Sequence, residues 1–392
     1  MTVKRITEIL TLAVFLLVIF GFSIAFLLLP DREFSEQENR SLRTFPEFTL
    51  EKLASGRFAE EINDYFADQF PLRDPLVGVK GVAEIAMGKG ENDGVLLGRD
   101  GYLAKRRFAM LCRDGRILPD MDAFDEAHVR DAARAIKRVS DGTELPFSIF
   151  LTGRTVDVAA AKLSYPSTYS DALLTLLREE LGGVEGYIDS VPLYREKLKA
   201  GEEVYYRTDH HWTTLGAYYA YGEILRSFGM EEEILPASAF ERATVSDAFY
   251  GTSWSAGGMK FVSPDAIELW LLGDEELYEV VADGRVLDGF YSYRYLEEKD
   301  QYSLFLDGTH DVVTVTKPGE ERPTLLLLKD SFANALTPFL AQHFDLVLLN
   351  LSSVRTDYTD LTAYCEEYSA DYALLIYTLE NVVTTNKMNG LR

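Results

Sequence analysis

The chain has 392 residues, 47% of them hydrophobic, and a formal net charge of −24. Acidity of that size, scattered rather than blocked, argues against nucleic acid or anionic lipid as partner and for a soluble, self-repelling surface. The apolar share excludes a disordered chain. Cys112 and Cys365 lie too far apart to be paired from sequence. Each reads as a buried free thiol, and with no second cysteine nearby a thiolate metal site is excluded.

In chain order, Lys4 and Arg5 precede an uncharged apolar run from Ile9 to Leu29, long enough to span about 30 Å of hydrocarbon as a helix. The basic pair favours a cytoplasmic N-terminus, although Arg32, Arg40 and Arg43 beyond the run blunt the asymmetry. A cleaved signal peptide is the competing reading, but Leu27-Leu28-Leu29-Pro30 offers no small-x-small site. The expectation is an uncleaved signal anchor: a cytoplasmic tip at 1–8, a single membrane span at 9–29, and an extracellular portion after Pro30. Residues 30–100 read as a juxtamembrane stalk that packs on the core. Within it, Leu53, Phe58, Ile62 and Phe66 predict one amphipathic helix over 52–70, and Val95-Leu96-Leu97 predicts a short strand between turns.

Residues 101–392 read as an α/β domain. Helical patterns over 122–139, 171–181, 213–228, 332–342 and 361–368 alternate with apolar strands at 147–151, 186–189, 324–328, 346–349 and 372–377. That alternation predicts a mostly parallel sheet covered on both faces, with Thr324–Leu328 buried on both sides. Residues 238–320 break the rhythm with aromatics, glycines and alternating runs such as Tyr302–Leu306. They read as a β-rich insertion beside the sheet that shapes a substrate groove, or as a structural excursion.

The chemistry concentrates in two places. Asp209-His210-His211-Trp212 holds two of the five histidines, and Lys329-Asp330-Ser331 sits where an apolar strand turns into a helix. At such a turn a serine hydroxyl is exposed and free N–H groups at the helix start can hold an oxyanion, although Ser331 can equally be an N-cap. A nucleophilic serine needs a base, and the base needs orienting. In a tightly turned segment Asp209 and His211 point the same way, which makes Ser331, His211 and Asp209 the candidate catalytic residues. The competing structural role is Asp209 as cap of the helix near Thr213. Trp212 is expected to wall the site. A metal held by Asp209, His210 and His211 is the weaker reading, because adjacent histidines diverge and metallohydrolase helices space theirs at i and i+4. No cofactor is implied. His128, His310 and His343 read as surface or satisfied side chains.

On these residues the chain resembles the DHHW family of Gram-positive surface proteins, within the SGNH-hydrolase-like proteins involved in alginate O-acetylation. The similarity rests on Thr208-Asp209-His210-His211-Trp212-Thr213 with Gly216-Ala217-Tyr218, and on Lys329-Asp330-Ser331-Phe332 with Asn334 and Pro338-Phe339. It extends to Phe34-Ser35-Glu36-Gln37-Glu38-Asn39-Arg40 and Asp68-Gln69-Phe70-Pro71-Leu72-Arg73-Asp74. The resemblance implies an SGNH-like α/β/α sandwich and a serine O-acetyltransferase acting on an exported or cell-wall polysaccharide, often beside a membrane-bound O-acyltransferase partner. The alternatives are an acetylesterase with the same triad and a catalytically silent glycan-binding or scaffold subunit. Carried over by position, Ser331 is the nucleophile, His211 the base and Asp209 its orienter. The order is permuted relative to ordinary SGNH hydrolases, and Lys329 stands where they have glycine. The oxyanion hole is therefore open: the Ser331 N–H is its safest member, with Asn334 and the Thr152-Gly153-Arg154 loop as further candidates. Trp254 is a candidate for stacking on sugar.

Overall fold

A computed structural model of the protein describes residues 3–35, 37–38, 40–92, 94–105, 124–163, 168–352 and 359–392. Cys112 and the expected helix start at Asp122 lie outside them. Cys365 is a buried free thiol. The chain divides into two compact units, one running up to Lys89 and including Gly258–Phe261, the other comprising Gly90–Gly257 and Val262–Arg392.

In the first unit the helix Val3–Leu28 is long and apolar enough to cross a membrane, with a mean hydropathy of 2.8 over an 18-residue stretch within it. Its end packs through Phe22 against Phe70 and through Phe26 against Tyr65 and Phe66. The single helix expected over 52–70 is two, Leu50–Ala54 and Arg57–Asp68. Gly56 separates them at φ 79, a left-handed backbone that glycine adopts without a Cβ clash. Arg40 donates two bonds to Asp68, at 2.9 and 2.5 Å, and one to Glu38 at 2.7 Å; Arg73 also pairs with Glu38.

The second unit is built on an eight-stranded sheet. Its strands are β1 (Phe147–Thr152), β2 (Tyr187–Asp189), β3 (Glu279–Ala282), β4 (Arg285–Val286), β5 (Val312–Thr316), β6 (Thr324–Lys329), β7 (Asp345–Asn350) and β8 (Tyr372–Thr378). The spatial order is β4-β3-β5-β7-β6-β8-β1-β2. The run β7-β6-β8-β1-β2 is parallel, and β4-β3-β5 extends it antiparallel from β7. β6 is central, and Leu325 to Leu328 are fully buried, as a strand covered on both faces requires. Each such leucine contributes about 1.5–3 kcal/mol through its removal from water. The helices Glu126–Gly142 and Thr168–Leu181 pack as one pair, and Thr214–Ser227 packs on Ala333–Leu340 as another.

The insertion differs from a body set beside the sheet. β3, β4 and β5 all come from residues 238–320 and continue the sheet itself. The rest of it forms a separate antiparallel pair, Glu241–Phe249 with Asp265–Leu271. The alternating run at Tyr302 is not a full strand: it begins in a short 3-10 turn, Gln301–Leu304, and pairs only through an isolated antiparallel bridge of Phe305 with Tyr291. The strand at Val95–Leu97 is present, in a three-stranded sheet that groups with the second unit.

Candidate active site

Ser331 follows the carboxyl end of β6, directly before the helix Ala333–Leu340. One local bond and two long-range bonds fix that turn. Asp330 accepts from the Phe332 N–H at 3.1 Å, the Thr378 N–H at 2.7 Å and Asn381 Nδ2 at 3.0 Å, so the end of β8 holds the end of β6. Burial pushes the Asp330 carboxyl above its ordinary range, partly opposed by these donors. Beneath the turn Lys329 is 1% exposed and donates to Asn334 Oδ1 at 2.7 Å. Desolvation brings its ammonium down to about 8, against the upward pull of Asp330 and Asp283.

The Asp209–His211 segment reaches the same place from a different element. Tyr205 and Trp212 form an antiparallel bridge, and Tyr206 N–H donates to the His211 carbonyl at 3.1 Å, which folds 206–211 into a loop. Asp209 Oδ1 accepts the His211 backbone N–H at 2.9 Å, an Asx turn, and also faces His211 Nδ1 at 2.6 Å. His211 Nε2 lies 2.7 Å from Ser331 Oγ. One unbroken chain of hydrogen bonds thus joins carboxylate, imidazole and hydroxyl. With Nδ1–H directed at the carboxylate, Nε2 is the lone-pair nitrogen that accepts from the serine.

Neither competing cap is observed. Thr213 caps its own helix by accepting from the Gly216 N–H, and the cap position before Ala333 is Phe332, with no side-chain bond. Asp209 Oδ2 accepts the Thr252 N–H at 2.7 Å and Oγ1–H at 3.0 Å. Burial pushes this carboxyl upward, but the two histidines and the bonds from His211 and Thr252 outweigh it and hold it well below the ordinary range. Gly251 makes room: a Cβ there would sit 2.3 Å from Asp209. Asp265, 7% exposed, accepts the Arg207 and Thr208 N–H groups at 3.0 and 2.7 Å and so anchors the start of the loop.

A cleft of about 200 Å³ opens over Ser331, lined by Lys105, Arg154, His210, Asp330, Phe332, Thr378, Glu380 and Asn381. Arg154 reaches it while forming a bidentate pair with Asp157 at 2.8 and 2.7 Å. Three sequence candidates lie elsewhere. Asn334 is turned away, Oδ1 toward Lys329 and Nδ2 toward the Gly308 carbonyl at 2.9 Å. Trp212 is fully buried against Phe150, Tyr194 and Phe332, so it is core rather than wall. Trp254 packs on Tyr250 at 4.5 Å, below the Lys299 ammonium, and does not line the cleft. Asp209, His210 and His211 offer ligand atoms within 4.8 Å of one another. A cation there would displace the bonds of His211 to Asp209 or Ser331. His343, beside Tyr221, is pushed down to about 4 by burial and Arg322, while His128 and His310 bond to Val382 and Asp283.

Thr252, Asp265, Tyr302 and Asn381 carry no signal in the sequence. Each reaches the site only through long-range folding.

Residues 185–350 match the family model described as DHHW protein. The chain resembles the DHHW proteins. A DHHW family protein from Eubacterium siraeum superposes with a TM-score of 0.57 at 16% identity, over 76% of this chain and 95% of that one. PatB1 of Bacillus cereus, in a structure with a sulfonyl adduct, superposes at 0.60 and 18% identity, over 75% and 97%. The O-acetyltransferase domain of Pseudomonas putida AlgJ aligns at 0.45 and 14%, over 75% and 93%. The first two show a shared fold, an α/β structure built on a mostly parallel sheet. No curated protein matches the sequence.

Proposed function

We propose that this chain is a membrane-anchored, extracytoplasmic serine O-acetyltransferase that modifies a cell-envelope or exported polysaccharide through an acetyl-Ser331 intermediate. The observation that carries this reading is the continuous relay from Asp209 through His211 to Ser331, with distances of 2.6 and 2.7 Å. His211 takes the serine proton as Oγ attacks the acyl carbonyl. The Ser331 N–H, which donates to nothing among the described residues, is placed to receive the oxyanion. Collapse expels the donor group, which takes the proton from the imidazolium. A sugar hydroxyl then gives its proton to His211 and attacks the acetyl-serine, restoring the enzyme.

The resemblance to DHHW proteins supports acetyl as the group moved and polysaccharide as the acceptor, with a membrane-bound O-acyltransferase as donor partner. The helix Val3–Leu28 supports a single-pass anchor, N-terminus inside. The cleft takes in Arg154, His210 and Asn381 as polar contacts for the acceptor.

The test uses the full-length protein in detergent, wild type beside Ser331→Ala, with an activated acetyl ester and oligosaccharide acceptors. Serine-dependent acetylated sugar supports the transferase. Serine-dependent free acetate alone makes it an esterase. A sulfonyl fluoride, a reagent class that traps activated hydroxyls, should add to Ser331 in the wild type only. If the wild type neither turns over ester nor takes up the reagent, the catalytic reading is wrong and a scaffold role replaces it.

A further inference from the structure

Relay geometry accounts for both edges of the His211 imidazole but not for its faces. Tyr302 lies flat against the ring, centroids 3.7 Å apart and planes 8° apart. The rings of His210, at 3.9 Å, and Phe332, at 4.9 Å, close the rest of the slot. On its other sides Tyr302 touches Phe305 at 5.2 Å and Tyr206 at 6.3 Å, neither of which stacks on the base. It is 5% exposed, and its hydroxyl is buried without a hydrogen-bond partner. A buried hydroxyl with no partner is unfavourable, so whatever the residue contributes comes from its ring. Burial first, then Tyr206 and the Asp209 and Asp330 carboxylates, pushes the phenol well above its ordinary range. It therefore meets the imidazole as a neutral π face.

We propose that Tyr302 is a positioning residue for the catalytic base, an inference that rests on the acyl-transfer reading above. When the Ser331 Oγ–carbonyl bond forms, the hydroxyl proton moves to His211 Nε2 and the ring becomes cationic. Asp209 stabilises that charge at the Nδ1 edge, and the Tyr302 face stabilises it from above through the ring quadrupole. The stack also keeps the imidazole from turning out of line, which would break the bonds to Asp209 and Ser331 together. The insertion thus supports the base, from outside the relay, through the turn Gln301–Leu304.

Three variants of the full-length protein separate this role from packing: Tyr302→Phe, Tyr302→Leu and Phe305→Leu. The first readout is the downfield proton resonance of the His211 Nδ1–H shared with Asp209, which requires no turnover. The second is the rate at which phenylmethanesulfonyl fluoride modifies Ser331, followed by intact mass. Tyr302→Phe should keep both at wild-type levels. Tyr302→Leu should lose or broaden the resonance and slow modification by about twofold to thirtyfold. Phe305→Leu, which thins the same cluster away from the base, should keep both. An unchanged resonance and rate in Tyr302→Leu would overturn the proposal, and so would an equal loss in Phe305→Leu. If wild-type Ser331 takes up no reagent, the acyl-transfer reading fails, and the resonance alone still decides whether the stack holds the ring.

Discussion

Two pairs of distant motifs close on each other in this molecule, and they do so by opposite physics. In the N-terminal unit, the stretch at 34–40 meets the stretch at 68–74 through arginines. Arg40 and Arg73 share Glu38 and Asp68, and the Arg40 side chain is 40% exposed. In the α/β unit, the stretch at 208–213 meets the one at 329–334 through a relay in which the Asp209 and His211 side chains are 2% and 7% exposed. The first cluster is redundant, several charges each with more than one partner, so removing one leaves the others paired. The second is serial, with one bond between each side chain and the next. Redundancy makes a fold tolerant, whereas a serial relay stakes the chemistry on each of its links.

The largest test of that contrast breaks the relay. Asp209→Asn should lower acyl transfer by about 10⁴-fold, because an amide cannot hold the Nδ1–H tautomer, while leaving the fold intact. Gly251→Ala attacks the same link without replacing a catalytic residue. Its Cβ would land 2.3 Å from Asp209, so it should approach the same loss, read as ester turnover beside circular dichroism. Full activity in Gly251→Ala would mean that the Asp209 carboxylate is not held against Gly251.

Asp330→Asn comes next. The carboxylate accepts three donors with two oxygens, and an amide offers one acceptor oxygen and an NH₂ that faces either the Phe332 N–H or both the Thr378 and Asn381 donors. The Ser331 turn should shift, and a misplacement on the order of 1 Å costs about a hundredfold in rate. Sulfonyl modification of Ser331 measures it directly. In the redundant cluster the matching change is Arg40→Ala. Removing a donor from the buried Asp68 carboxylate should destabilise the first unit by about 1–3 kcal/mol, since the Arg43 N–H still bonds it at 2.9 Å. Acyl transfer should not change. The three tryptophans, Trp212, Trp254 and Trp270, all lie in the second unit, so their fluorescence should report no loss while hydrogen exchange in the helix Arg57–Asp68 accelerates.

The difference between the clusters also explains what the sequence discloses. Asp209 and His211 are legible because an Asx turn is local: two residues apart, the carboxylate and imidazole meet whatever the rest of the chain does. Ser331 is legible because a continuous apolar run followed by a helix marks the end of a buried parallel strand. Their partners are not, since Thr252, Asp330's hold on Thr378 and the Tyr302 stack depend on which strand lies beside which. Trp212 misleads for a related reason. It sits beside the base in sequence, but strand-like alternation at the Tyr205–Trp212 bridge sends it to the opposite side, into the core. The insertion misleads because β3, β4 and β5 are short, and only the pairing of β5 onto β7, with β3 and β4 added beyond it, makes them sheet.

The smallest effects are those of pH on stability, where the two clusters should slope in opposite directions. Burial pushes the Asp68 carboxyl up, but its bonds from Arg40 and Arg43 N–H and the charge of Arg73 bring it below the ordinary value. A lowered carboxyl contributes stability that is present above the unfolded pKa of about 3.9 and is lost as pH falls through the folded one. Asp330 is raised, so its contribution is present below that unfolded pKa and is lost as pH rises through its folded pKa. Asp330→Asn should therefore remove a decline in tryptophan-monitored stability on the way up from pH 4. Asp68→Asn should remove a decline in exchange-monitored stability of the first unit on the way down. Two variants that flatten the same limb would mean that both carboxylates are governed by the same force, and the distinction between redundant surface pairing and buried serial bonding would not hold.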